Sequence, residues 1–226
     1  MSHLIVLYLN RLTKVIGIDC EMVGVGYKGE DSILARISLV NHFGKCIYDK
    51  FVKPTEKVVD YRTPVSGIRP ADISDGADFK TVQHEVAEIL RGRVLVGHSL
   101  KHDLRVLFLD HPKRDIRDTA SYKPFRAAFG GKTPSLKRVT ERFLGVKVQE
   151  GEHSSVQDAQ AAVRLYTMFR RDWERAIDER KKNRIGKTYG QKPDVNPGVT
   201  LSRRGSGTGQ SKVQKAPSYQ DSDDSD

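Results

Sequence analysis

Four acidic residues and one histidine fall in an order that reads as a two-metal phosphodiester site: Asp19 and Glu21, then Asp103, then His153 and Asp158. Hard divalent cations take oxygen ligands, and carboxylates supply them. Two such ions held about 3.5–4 Å apart stabilise both the attacking and the departing oxygen of a phosphoryl displacement. An imidazole beside them has the right unperturbed pKa to accept a proton from water near neutral pH. Asp19 and Glu21 end the apolar run Val15-Ile16-Gly17-Ile18. On a strand, side chains two apart share a face, so these carboxylates repel unless a cation lies between them, and Cys20 turns toward the core. Asp-x-Glu arises often by chance, and a strand leaving the core for solvent explains it equally well. The preceding apolar run favours the C-terminal end of a strand, where open α/β sheets place their sites.

The other three residues are as ambiguous singly. Asp103 follows the strand-like Arg93–Val96 and the turn Gly97-His98; a first-turn acid complementing a helix dipole is the simpler explanation. Ser154 with Gln157 and Ser155 with Asp158 each read as a capping box. The second pairing leaves Asp158 only a cap. The first, which we prefer, puts His153 on a mobile loop before the helix and Asp158 one turn inside it.

The elements that must position these residues follow from periodicity. Val15–Asp19 reads as a buried strand, and Ile33–Val40 and Lys45–Val52 as a hairpin turned at Asn41-His42-Phe43-Gly44. Residues 54–75 hold Pro54, Pro64, Gly67 and Pro70 and read as a long loop with turns. Phe79–Leu90 is amphipathic with Asp78 as N-cap. Arg93–Val96 is a further buried strand, Asp103–Leu109 is helical, Ile116–Thr119 is a short edge strand, and Ser135–Leu144 is a helix ended by Gly145. Ser154 to about Arg180 is the longest helix. Strands and helices mixed in this order predict a layered α/β domain over residues 14–180, preceded by an extension (1–13). Residues 181–226 turn from basic to acidic, with too little apolar surface to offset ordering, and are expected to be disordered.

The formal net charge is +10, and the tail from Gly186 contributes almost none of it, with six Lys/Arg against five Asp. Such a surplus favours polyanionic partners, although a well-solvated basic surface is common. Two cysteines, Cys20 and Cys46, suggest neither a disulfide framework nor a zinc site, so a reducing compartment is the default. Leu4–Leu9 is apolar but far too short to span a bilayer, and it lacks the marks of a signal peptide. Gly130-Gly131-Lys132-Thr133 resembles a phosphate-binding loop, but Arg126 stands where that motif needs glycine, and no buried strand precedes it. It reads as a basic loop against a nucleic-acid backbone. Arg180–Arg184 is a basic cluster suited to a nuclear address, an RNA-contacting end or an ordinary solvated helix terminus.

Together these segments carry a resemblance. Ile18–Gly24, Tyr61–Ile68, Val96–Asp103 and His153–Ala159 resemble the DEDDh family of 3′→5′ exonucleases, over roughly Lys14 to Trp173. The resemblance implies an α/β, RNase H-like exonuclease fold, a mixed five-stranded sheet flanked by helices. It implies that Asp19, Glu21, Asp103 and Asp158 hold two Mg²⁺ or Mn²⁺ ions and that His153 is the general base. Met22 and Arg62 match positions that contact substrate, as opposed to a core methionine and a loop arginine paired with Asp60. It further implies single-stranded RNA 3′ ends as substrate, nucleoside 5′-monophosphates as product, ribosomal RNA maturation in the nucleus or nucleolus, no membrane and no organic cofactor. Rival readings are an exonuclease acting on DNA and a non-catalytic nucleic-acid-binding or transcription-regulating module. One departure is Ser99, where many family members carry Asn. Members of this kind also tend to have a long basic N-terminal region, so the short stretch here suggests an isoform or partial product.

Overall fold

A computed structural model describes residues 11–149 and 151–189, the last six by backbone alone. Most of the expected N-terminal extension, and the tail from residue 190, lie outside the described residues. Contacts divide the chain into Met1–Lys182 and Asn183–Asp226, and within the second unit only helical backbone to Tyr189 is described.

The first unit is built on one five-stranded sheet in the order β3-β2-β1-β4-β5. Strands β1 (Val15–Val25), β2 (Asp31–Asn41) and β3 (Cys46–Phe51) run antiparallel, whereas β4 (Val94–Gly97) and β5 (Ile116–Asp118) run parallel to β1. The sheet is therefore mixed, as expected. Strand β1 continues past Asp19 because β2 pairs with it to Val25, and a register shift falls between Glu21 and Met22. By contrast, β4 pairs only with Val15–Gly17. The acids thus stand mid-strand, just beyond the point where the parallel half of the sheet stops.

Alternation along β1 divides the core. Ile16, Ile18 and Cys20 face one layer with Val82, Val86, Leu90 and Leu107, while Val15 faces another with Phe125, Val163 and Tyr166. The first layer is covered by α3 (Phe79–Leu90) and α4 (Lys101–Val106). Asp78 caps α3 by accepting the Thr81 N–H at 2.9 Å, as the sequence predicts. The second layer is covered by α5 (Lys123–Ala128), α6 (Leu136–Leu144) and the long α7 (Ser155–Tyr189). Tyr122 stacks on Trp173 there, centroids 3.8 Å apart.

Three expectations change. Residues 54–75 are not simply loop: they hold α1 (Thr63–Ser66) and α2 (Pro70–Ser74), each opened by a proline in its first turn. Helix α5 was not expected. Helix α7 passes Arg180, so Lys181–Tyr189 is helical, with Lys181 paired to Asp178 one turn back. No helix among the described residues is long and apolar enough to cross a membrane.

Candidate active site

Close approach of α7 to β1 builds the site. A Cβ on Gly17 would lie 2.4 Å from Val163 Cγ2, 2.8 Å from Val40 Cγ2 and 3.1 Å from the Ala159 carbonyl. Only glycine lets the helix sit this low, and Asp158 is the residue before Ala159. The helix begins at Ser155, whose hydroxyl is 2.6 Å from the buried Ser38 hydroxyl of β2. Ser155 is thus engaged with the sheet, and the Asp158 carboxylate accepts from Gln149 Nε2 at 2.6 Å. Asp158 points into a pocket rather than serving as a cap.

That pocket, about 270 Å³, is lined by Asp19, Glu21 and Met22 of β1, Arg62 and Ser66, His98, Leu136, Gln149, His153 and Asp158. Asp103 lies beneath it in the first turn of α4, bonded to the Cys20 thiol and acting electrostatically on Asp19. Cys20 packs in the core layer of Ile16 and Ile18, as expected, but it also lines the pocket. Four of the five predicted residues, Asp19, Glu21, His153 and Asp158, line this pocket, whereas Asp103 is not among its lining residues and is linked to it through its charge effect on Asp19. Glu21, Asp103 and Asp158 are only 5%, 4% and 3% exposed.

Burial and mutual repulsion dominate the electrostatics. Asp19 keeps a solvent-facing edge, but burial, then Asp103, Asp158 and Glu21, push its carboxyl well up. Burial and Asp158 raise Glu21 to about 8, against the opposing pull of Arg36 and the Ser155 N–H. Burial raises Asp103 to about 7, although the Cys20 thiol and main-chain N–H groups donate to it. Burial also raises Asp158, less so because Gln149 and His153 favour its charged form. Glu21 Oε1 is buried with no hydrogen-bond partner.

A divalent cation fits this donor set. Every ligand is a hard oxygen, one buried carboxylate oxygen is orphaned, and the repulsion is of the kind a cation neutralises. The arrangement is not a finished coordination shell: among the described residues, no three His, Cys, Asp or Glu side chains are gathered around one metal position. Asp158 accepts from Gln149 through one oxygen and Asp103 from the Cys20 thiol, which leaves each carboxylate further lone pairs for a metal.

His153 Nδ1 lies 3.8 Å from Asp158 Oδ2. Its segment is not free. The His153 N–H donates to the Val65 carbonyl at 2.8 Å, and Arg69 grips Glu152 with two bonds of 3.1 and 2.6 Å. Helices α1 and α2 thus hold the imidazole at the pocket, in place of the mobile loop expected. Arg62 is left-handed (φ 50°); its main-chain N–H donates to Asp60 and its guanidinium to Ser32 Oγ and the Gly29 carbonyl, each at 2.8 Å. It lines the pocket as a fixed donor. Met22 lines it while also packing against the core, so both readings of that residue hold. His98 is anchored to the fold and also reaches the site: its Nδ1 is 2.9 Å from Thr119 Oγ1 and the residue lines the pocket. Gln149 was missed, because nothing in a non-periodic loop marks it. Ser99 is left-handed (φ 61°), its N–H held by Asp118 at 2.9 Å.

The family of exonucleases designated RNase_T matches residues 16–166, and the chain belongs to it. Exonucleases of this family generally use divalent metal ions. More particularly, the chain is 61% identical over 170 residues to RNA exonuclease 4 of Mus musculus, covering 75% of this chain and 39% of that protein. It is 65% identical over 166 residues to RNA exonuclease 4 of Xenopus laevis, covering 74% and 39%. The chain thus spans about two fifths of the length of these curated relatives. A solved Saccharomyces cerevisiae Pan2 pseudoubiquitin hydrolase–RNA exonuclease module in complex with AAUUAA RNA is similar, with a TM-score of 0.61 and 28% identity over 80% of this chain and 33% of that one. The sheet and its neighbours define an RNase H-like fold.

Proposed function

We propose that this chain is a metal-dependent 3′→5′ exoribonuclease that releases nucleoside 5′-monophosphates from single-stranded RNA ends. The observation that carries this reading is that Asp19 and Glu21 of β1 and Asp158 of α7 line one pocket beside His153, with the charge of Asp103 acting on Asp19. A surface meant only to bind phosphate has no use for four buried carboxylates, which disfavours the non-catalytic rival.

Two divalent ions, Mg²⁺ or Mn²⁺, held by these acids supply Lewis-acid stabilisation of the attacking and leaving oxygens. The chain's own residues do the rest. His153, fixed by its N–H to Val65, accepts the proton of the attacking water. Met22 packs on the terminal nucleoside, and Arg62 faces its ribose, where the 2′-hydroxyl separates RNA from DNA. The relatives named as RNA exonucleases support RNA over DNA. Ribosomal RNA processing in the nucleus or nucleolus is the setting we propose, in keeping with the basic surplus.

The test is digestion of 5′-labelled single-stranded RNA and matched DNA, with Mg²⁺, with Mn²⁺ and with chelator. The expected result is a ladder of RNA shortened one nucleotide at a time from its 3′ end, slower on DNA and abolished by chelator. RNA bound but left intact with either metal would establish the binding-module rival, and preferential loss of DNA the other.

A further inference from the structure

The pocket lies across β1, and its two sides differ. On the β2 side stand Met22 and Arg62, the latter tied to Ser32 at 2.8 Å. On the β4 side stand His98 and Leu136. His98 Nδ1 meets Thr119 Oγ1 at 2.9 Å, and its ring feels the Pro134 main chain. The segment from Gly130 to Lys137 holds the pocket-lining Leu136 and forms the rim of that side.

This rim carries exposed positive charge at Lys132 and Lys137. Gly130 and Gly131 are left-handed (φ 66° and 79°), with nothing within 4 Å of where a Cβ would stand. Arg126 clamps the Gly131 carbonyl with bonds of 3.1 and 2.8 Å, so the turn is fixed and Lys132 follows it, exposed. Lys137, in the first turn of α6 next to Leu136, reaches the Gln149 carbonyl at 3.4 Å, and Gln149 in turn holds Asp158. Among the described residues neither lysine makes an ion pair, whereas Arg36, Arg69 and Arg117 all do.

We infer that Lys132 and Lys137 bind the internucleotide phosphates 5′ to the scissile bond, so that the RNA strand leaves the pocket over the rim between His98 and α6. This rests on the exoribonuclease reading. With the terminal nucleoside on the Met22–Arg62 side and the scissile phosphate over the acids, the next phosphates fall on the opposite side, where Lys137 adjoins the pocket-lining Leu136 and Lys132 precedes it on the same segment. The contact is to backbone charge and carries no base preference. It also gives the rejected phosphate-loop resemblance a use: the glycine turn presents Lys132 without forming a nucleotide-binding cradle.

Steady-state hydrolysis of a dinucleotide and a hexanucleotide RNA by wild type and by Lys132→Ala/Lys137→Ala separates the possibilities. The dinucleotide holds only the scissile phosphate. The double variant should raise KM for the hexanucleotide by roughly three- to tenfold and lower the magnitude of its log–log salt slope by about 0.7 per lost contact. The dinucleotide KM should be unchanged, and Lys→Arg at both positions should restore the hexanucleotide value. Equal KM values for variant and wild type on the hexanucleotide overturn the inference, as does an equal rise on both substrates. A wild-type protein that cleaves neither RNA sinks the exoribonuclease reading itself.

Discussion

At the scale of single residues, the site is defined by what it makes unfavourable. Unfolded chain sheds a glutamic proton near 4.5, while Glu21 in the fold holds its proton to about 8 and Asp103 to about 7. Between these limits the folded state binds more protons than the unfolded one, so stability falls as pH rises. Metal-free protein should therefore show a melting temperature that declines from about pH 4.5 to about pH 8. Added Mg²⁺ should raise it most at the upper end, since ionised carboxylates bind the cation. Calorimetry with and without Mg²⁺ checks this; a metal-free melting temperature that rises across that window contradicts the sign. The residues behind this behaviour were ambiguous singly in the sequence, and only the joint resemblance of their segments to one family singled them out. Gln149 was not legible, since its role exists only once the loop before α7 folds back onto Asp158.

At the scale of elements, one glycine sets the height of α7 above the sheet. Gly17→Ala places a methyl 2.4 Å from Val163 Cγ2 and 3.1 Å from a main-chain oxygen. The helix must move, because neither the branched side chain nor the backbone can give way cheaply. Overpacking of this kind costs roughly 1–3 kcal/mol, and a displacement near 1 Å at a catalytic group costs about a hundredfold in rate. The variant should stay folded by circular dichroism yet lose activity on that scale; full activity would show that α7 does not fix Asp158. The long periodic elements were readable, as α3, α6 and the strand pair β2–β3 show. The short helices α1, α2 and α5 were not. Each is stabilised by contacts distant in sequence: the Val65 carbonyl accepts from the His153 N–H, Arg69 at the start of α2 holds Glu152, and Phe125 is buried against Phe169 and Trp173. Strand β1 was underestimated because carboxylates at Asp19 and Glu21 break the apolar pattern that marks a strand.

At the scale of the whole molecule, a basic chain surrounds an acidic pocket. On the proposed reading, the +10 surplus draws in the polyanion, and the four acids receive its scissile phosphate only with cations between them. On that same reading the rim lysines belong to the first effect and the carboxylates to the second, so salt should weaken capture while metal removal should stop chemistry. The most direct measurement is the single-turnover rate of 5′-mononucleotide release, with saturating Mg²⁺, for Asp19→Asn, Glu21→Gln, Asp103→Asn and Asp158→Asn beside the wild type. Each variant should remain folded and lose roughly a thousandfold or more, the scale of several kcal/mol of metal-supplied stabilisation. His153→Gln should lose roughly 10²–10⁴-fold. Any one acid that can be neutralised with the rate unchanged contradicts the four-carboxylate site.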